Sequence, residues 1–245
     1  MGRRICVSVV SLVPWSLGPG GYQRVKEMAV GAGFDGLQLL PLRGWRKAAL
    51  YAIPKQLVCS FEGPWNKGPL LGALKRHLHL AGEEQPLLMD WLFFGPSPLD
   101  AEVFAEMFPK ALRVSHTSNG QDLYEINPEL GPPTRGEPVC WDTKHTRRGR
   151  RDRKPNPLKQ WRDLLAELDG SQIKLIHFNT VNREELARFL DGKDTELESM
   201  LRAVTRKSEA PIVVETAPLS LSRAGTIELL WLTREKILWA AEEQM

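Results

Sequence analysis

Short apolar, β-branched runs alternate with longer mixed segments from one end of the chain to the other. Eight runs read as strands, at residues 5–13, 36–40, 56–61, 86–90, 112–116, 138–142, 173–178 and 211–215. Each is about four to nine residues long, bounded by Gly, Pro or polar residues, and close to continuously apolar, the pattern of strands covered on both faces of a parallel sheet. The segments between them predict helices at 22–32, 70–81, 99–108, 157–168 and 183–206, with a further helix at 226–243 after the last strand. At 45–52 and 123–130 only a short or distorted helix fits.

Eight strands joined by long crossovers suit either a barrel or a doubly wound sheet, and the count of eight favours the barrel. A dinucleotide-binding sheet is disfavoured because no GxGxxG follows the first strand; Gly18-Pro19-Gly20-Gly21 has the wrong spacing, and proline takes an N–H from any phosphate cradle. The predicted fold class is therefore α/β, a (β/α)8 TIM barrel of eight parallel strands with outer helices. At 245 residues the chain has the length of one such barrel, so 1–245 is expected to be a single domain.

Composition changes this picture little. A hydrophobic fraction of 42% with 26% charged residues is enough to bury a core, and a net charge of +3 does not by itself imply nucleic acid. Cys6, Cys59 and Cys140 lie inside apolar strands without CxxC spacing, which predicts buried reduced thiols in a reducing compartment rather than disulfides or a zinc knuckle. Arg3 and Arg4 precede an apolar stretch, but Ser8, Ser11 and Pro14 interrupt it and no small-residue cleavage site follows, so a first strand is the better reading than a signal peptide. No run reaches the ~20 apolar residues of a membrane span. A cytoplasmic protein without membrane partners is expected.

Placement of polar residues carries the functional signal. Residues at the C-terminal ends of barrel strands converge on one face, where active sites form. Six predicted strands end with Glu62, Asp90, His116, Asp142, His177 and Glu215, and His145 follows Asp142 by three residues. His77 and His79 fall in a basic helical stretch and read as surface residues. Asp142, His177 and Glu215, from three successive strands, could form a mixed oxygen and nitrogen site for a hard divalent ion. Two of them also have a plainer use, Asp142 as a helix cap and His177 as a core histidine, whereas an unpaired carboxylate at Glu215 would be costly. Tryptophans near strand ends (Trp15, Trp65, Trp91, Trp141) offer an apolar floor for a sugar face, although packing is their commoner use. The basic run at 147–154 reads as an exposed loop, and its arginines suit an anion clamp. On that reading, neutralising Arg147, Arg148, Arg150 and Arg151 together leaves folding and metal content intact.

At these positions the chain resembles the xylose-isomerase-like barrels, a superfamily of sugar phosphate isomerases and epimerases that also includes the endonuclease-IV-type AP endonucleases. Gly33-Phe-Asp-Gly-Leu-Gln-Leu-Leu-Pro41 is similar to that family's second strand, commonly G-F-D-G-[IV]-E. Val139–His145 resembles its sixth-strand D-T-x-H, Ile173-Lys-Leu-Ile-His177 its seventh-strand histidine, and Pro211-Ile-Val-Val-Glu215 its eighth-strand glutamate. The resemblance implies that Asp142, His177 and Glu215 ligate a divalent metal (Mn, Mg, Co or Zn), that His145 contacts substrate or a second metal, and that Arg183 binds substrate. The fifth strand departs from the pattern: the family places a glutamate at its end, and Leu112-Arg-Val-Ser-His116 ends in a histidine. His116 then stands as the replacement ligand or as a catalytic group, and the histidines of the nuclease's third and fourth strands are replaced by Glu62 and Asp90.

Three functions follow. The first is a metal-dependent isomerase or epimerase of a small polyhydroxylated substrate, free or phosphorylated. In it Glu215 shuttles a proton beside the carbonyl, His116 or His145 serves the opposite side, and Arg183, Arg147 and Arg148 hold the substrate. The second is an endonuclease-IV-like phosphodiesterase whose basic loop grips nucleic acid. The third is a non-catalytic barrel that has lost the fifth-strand glutamate and serves as a binding module.

Overall fold

The computed structural model describes residues 3–16, 20–39, 58–63, 86–89, 112–116, 138–148, 161–180, 182–216 and 221–242; within 58–63, 86–89 and 112–116 only the backbone is described. Strands stand at all eight predicted places: β1 (Ile5–Ser8), β2 (Gly36–Leu39), β3 (Val58–Gly63), β4 (Pro86–Met89), β5 (Leu112–His116), β6 (Val139–Asp142), β7 (Ile173–Asn179) and β8 (Ile212–Glu215). Each pairs in parallel with the next, and β8 returns to pair with β1, so strand order follows chain order around a closed sheet. The all-parallel α/β class is as the apolar runs predicted. The helices predicted at 70–81 and 99–108, the weak segments at 45–52 and 123–130, and His77 and His79 lie outside the described residues.

The first strand is shorter than its apolar run. It stops at Ser8, whose hydroxyl accepts the backbone N–H of Val10 (3.2 Å), and the chain turns into a 3-10 segment, Val9–Leu12, then a single helical turn, α1 (Val13–Ser16). A serine side chain that bonds the backbone two residues on competes with the sheet ladder. Val9 and Leu12 are nevertheless fully buried, which is why the apolar pattern continues past the strand's end.

The described helices are α2 (Gly21–Gly31), α3 (Thr143–Arg148), α4 (Trp161–Glu167), α5 (Arg183–Leu190), α6 (Thr195–Lys207) and α7 (Arg223–Glu242). They correct the sequence reading at two places. The single helix expected over 183–206 is two helices, because Gly192 adopts a positive φ of 71° that ends the first, and the Asp194 side chain accepts the N–H of Leu197 (3.0 Å) to start the second. Glycine after a helix and an aspartate cap before the next are ordinary stop and start signals. The stretch 143–148, expected to lead into an exposed loop, is helical.

Side-chain alternation along the strands separates two layers. Val7, Leu37, Leu39, Val139, Trp141, Ile176, Phe178, Ile212 and Val214 join the main core with residues of α2, α5, α6 and α7. Their neighbours on the opposite face, Cys6, Cys140, Leu175 and Val213, form a separate small buried cluster. Because strand side chains repeat every second residue, Ser8, Asp142, His177 and Glu215 stand two positions beyond these four, on the same face and toward the C-terminal ends. A short apolar layer thus underlies a polar one. Cys6 and Cys140 are buried and form no disulfide among the described residues, in keeping with the expected buried thiols; the side chain of Cys59 lies outside the described residues.

Candidate metal centre

The polar layer is built by three adjacent strand ends. Asp142 of β6 and His177 of β7 are register partners, and Glu215 ends β8 beside them. One ligand atom from each of the three residues lies within 4.8 Å of the others. His177 Nδ1 stands 3.0 Å from Glu215 Oε2 and 3.7 Å from Asp142 Oδ2. The side chains of Asp142 and His177 are fully buried, while that of Glu215 keeps 15% of its surface. Two carboxylates held this close out of water need a compensating positive charge or donors. A divalent cation suits both the charge and the donor set, since carboxylate oxygen and imidazole nitrogen together accept Mg, Mn, Co or Zn. The trio can therefore hold a metal ion.

Asp142 takes the capping role that its sequence position suggested and keeps one oxygen turned to the trio. Its Oδ1 accepts the backbone N–H of His145 (2.6 Å), which caps α3, and its Oδ2 faces His177. The two oxygens divide the work, so capping does not compete with ligation. The start of α3 is tied to β7 as well: the Thr143 hydroxyl donates to the Asn179 carbonyl and accepts the Asn179 N–H, each at 2.9 Å. Asn179 Nδ2 also lies 3.5 Å from Asp142 Oδ2.

Gln38 is the contact that sequence reasoning missed. Fully buried on β2, it places its amide Nε2 2.8 Å from His177 Nε2, the ring nitrogen turned away from the carboxylates. Its position was visible as the last letter of the Gly-Phe-Asp-Gly-Leu-Gln phrase, but not that its side chain reaches a residue 139 positions away. Asn179 was signalled only by standing two residues beyond His177 on the same strand face.

Other candidates fall elsewhere. His145 sits in the first turn of α3, partly buried, linked to the trio through its backbone bond to Asp142. His116 ends β5 in register with Cys140, two residues before Asp142 on the neighbouring strand, and its side chain lies outside the described residues. Glu62 is in β3, described by its backbone alone, and Asp90, Trp65 and Trp91 lie outside the described residues. Arg183 is exposed at the first position of α5, beyond the C-terminal end of β7. Trp141 is buried in the main core on the face of β6 opposite Asp142, so it cannot floor the site; Trp15 packs against that core as well.

Arg147 overturns the expectation of a solvated clamp. Its guanidinium is 4% exposed, 3.0 Å from Glu185 Oε1 and 3.6 Å from Asp194 Oδ2, and its Nε donates to the Thr143 carbonyl (3.0 Å). A guanidinium fork engaged by two buried carboxylates ties α3 to α5 and to the start of α6 and is not open to a phosphate. Neutralising it along with its neighbours would therefore cost the fold stability. Arg148 is the last residue of α3, described by its backbone alone, and 149–154 lie outside the described residues. Among the described residues no helix is long and apolar enough to cross a membrane. No protein-family model matches the chain, and no curated protein sequence matches it.

Proposed function

We propose that the chain is a (β/α)8 barrel of the xylose-isomerase-like type that binds a divalent cation on Asp142, His177 and Glu215. In this reading it isomerises or epimerises a small polyhydroxylated substrate, free or phosphorylated. The observation that carries the reading is the convergence of three ligand atoms within 4.8 Å at the ends of three successive parallel strands. Three protein ligands leave coordination positions for substrate oxygens, the arrangement of catalytic rather than structural sites. A bound divalent ion would supply Lewis acidity to a substrate carbonyl and its neighbouring hydroxyl.

The chain's own residues then divide the task. Asp142, buried and fixed by the α3 cap, holds position and charge. Glu215 is the member of the trio with accessible surface, so its carboxylate is the group that removes the proton from the carbon next to the carbonyl and, in an isomerisation, delivers it to the former carbonyl carbon. A second group on the other side of that carbon decides between isomerisation and epimerisation, and His145 and His116 are the candidates. Arg183, exposed beyond the end of β7, is the residue offered to a substrate anion.

Three measurements test this reading. Protein purified without chelators should carry about one divalent ion per chain, with two or three ions pointing instead to phosphodiester chemistry. Adding Mn²⁺ should raise the melting temperature of the wild type and not of Glu215→Gln, because an ion that binds only the native state stabilises it. Equal melting temperatures with and without metal, in both proteins, would sink the shared site. His116→Ala should weaken Mn²⁺ binding, and His116→Glu should retain or tighten it, if the fifth strand supplies a further ligand. Unchanged affinity in His116→Ala would remove His116 from the ligand set.

A further inference from the structure

Gln38 reaches His177 from the opposite side of the ring to the carboxylates, and it has a polar atom to spare. Its Nε2 is 2.8 Å from His177 Nε2, while its Oε1 is buried without a hydrogen-bond partner among the described residues. Four strands, β7, β8, β1 and β2, are consecutive neighbours in the sheet, so this bond crosses the interior between two non-adjacent strands. The ring therefore sits between a carboxamide on one nitrogen and two carboxylates on the other.

We propose that Gln38 is a positioning residue that holds His177 in either of two tautomers by rotation of its terminal amide. An amide nitrogen can only donate, so with Gln38 Nε2 2.8 Å from His177 Nε2 the ring accepts there and its proton belongs on Nδ1, 3.0 Å from Glu215 Oε2. A cation on Nδ1 needs the lone pair there, so the ring proton must move to Nε2 and requires an acceptor. A half-turn of the amide presents Oε1 to it, and because Oε1 has no other partner among the described residues, the turn breaks no bond that oxygen already makes. An ionised glutamate at this position could only accept, which would hold the ring in the cation-ready tautomer at all times and add a third negative charge beside Asp142 and Glu215. The neutral amide leaves two carboxylates, which balance a divalent ion. Residues that accept from the far nitrogen of a ligating histidine set its tautomer and orientation; a carboxamide can serve the ligated and the unligated ring alike.

This inference rests on the proposed cation site, and the test separates the two. The ring nitrogens of 15N-labelled His177 are followed by NMR in wild type, Gln38→Met and the isosteric Gln38→Glu, with and without Zn²⁺. Mn²⁺ affinity is measured on the same proteins. Wild type should show the Nδ1–H ring without metal and the Nε2–H ring with Zn²⁺. Gln38→Met should lose the single tautomer in the metal-free protein and bind Mn²⁺ about 10–100-fold more weakly. Gln38→Glu should carry the Nε2 proton before metal is added. If wild type binds neither metal, the cation site fails and the amide rotation fails with it. If wild type and Gln38→Met bind Mn²⁺ equally and hold the same ring tautomer, or if Gln38→Glu leaves the metal-free ring in the Nδ1–H form, Gln38 only fills space and the positioning role is overturned while the cation site stands.

Discussion

Replacing Arg147 by methionine should lower stability by about 3–5 kcal/mol, the cost of leaving buried carboxylates without the charge that compensates them. Glu185 and Asp194 are 4% and 7% exposed at their side chains, so neither can turn to water without moving its helix. For a chain of this length the melting temperature should fall by roughly 6–20 °C. Methionine keeps much of the side chain's volume, so the loss reports charge rather than a cavity. Adding Glu185→Gln and Asp194→Asn to Arg147→Met should restore part of the stability, since the stranded charges are then gone and asparagine can still cap α6 through its side-chain oxygen. Urea unfolding of the single and triple variants decides the matter. A single variant as stable as the wild type would mean that the arginine is solvated after all, and the anion clamp would return as its role.

Asp142→Asn and Asp142→Ala should part company in a way that follows from the two oxygens of Asp142. Asparagine retains a side-chain oxygen for the His145 N–H and loses the charge facing His177; alanine loses both. Without metal, Asp142→Ala should be about 1 kcal/mol less stable than Asp142→Asn, the usual worth of a helix cap. With Mn²⁺ at a hundred times its wild-type dissociation constant, the wild type should gain about 2.7 kcal/mol, or about 5–10 °C, and both variants should gain almost nothing. The difference is read by thermal unfolding at fixed protein concentration with and without the ion. A metal-dependent gain in Asp142→Asn equal to that of the wild type would remove Asp142 from the ligand set and leave it as a cap alone.

Much of this was legible beforehand, and the reasons are local. A strand buried on both faces must be apolar nearly throughout, so a carboxylate or imidazole at the end of such a run marks where the strand meets the site; Asp142, His177 and Glu215 were readable on that ground. The break between α5 and α6 was also written in the chain, in Gly192 and Asp194, but the apolar periodicity runs through it and masked both signals. The short β1 escaped because Val9 and Leu12 are as buried as the strand before them, and burial alone does not distinguish a strand from a tight turn.

By itself, the order of residues determined the parallel α/β class, the places of eight strands and the three residues that meet at their ends. These follow from patterns spanning a few residues, chiefly the continuous apolar run and the polar residue that closes it. Only the tertiary structure decided that Arg147 is buried, that Gln38 reaches His177, and which oxygen of Asp142 caps and which faces the ring. A run of arginines has the same composition whether water or two carboxylates surround it, and Glu185 and Asp194 approach Arg147 only once α3, α5 and α6 are packed. The bond from β2 to β7 likewise depends on the closure and register of the sheet, which bring together side chains 139 residues apart that no local pattern relates.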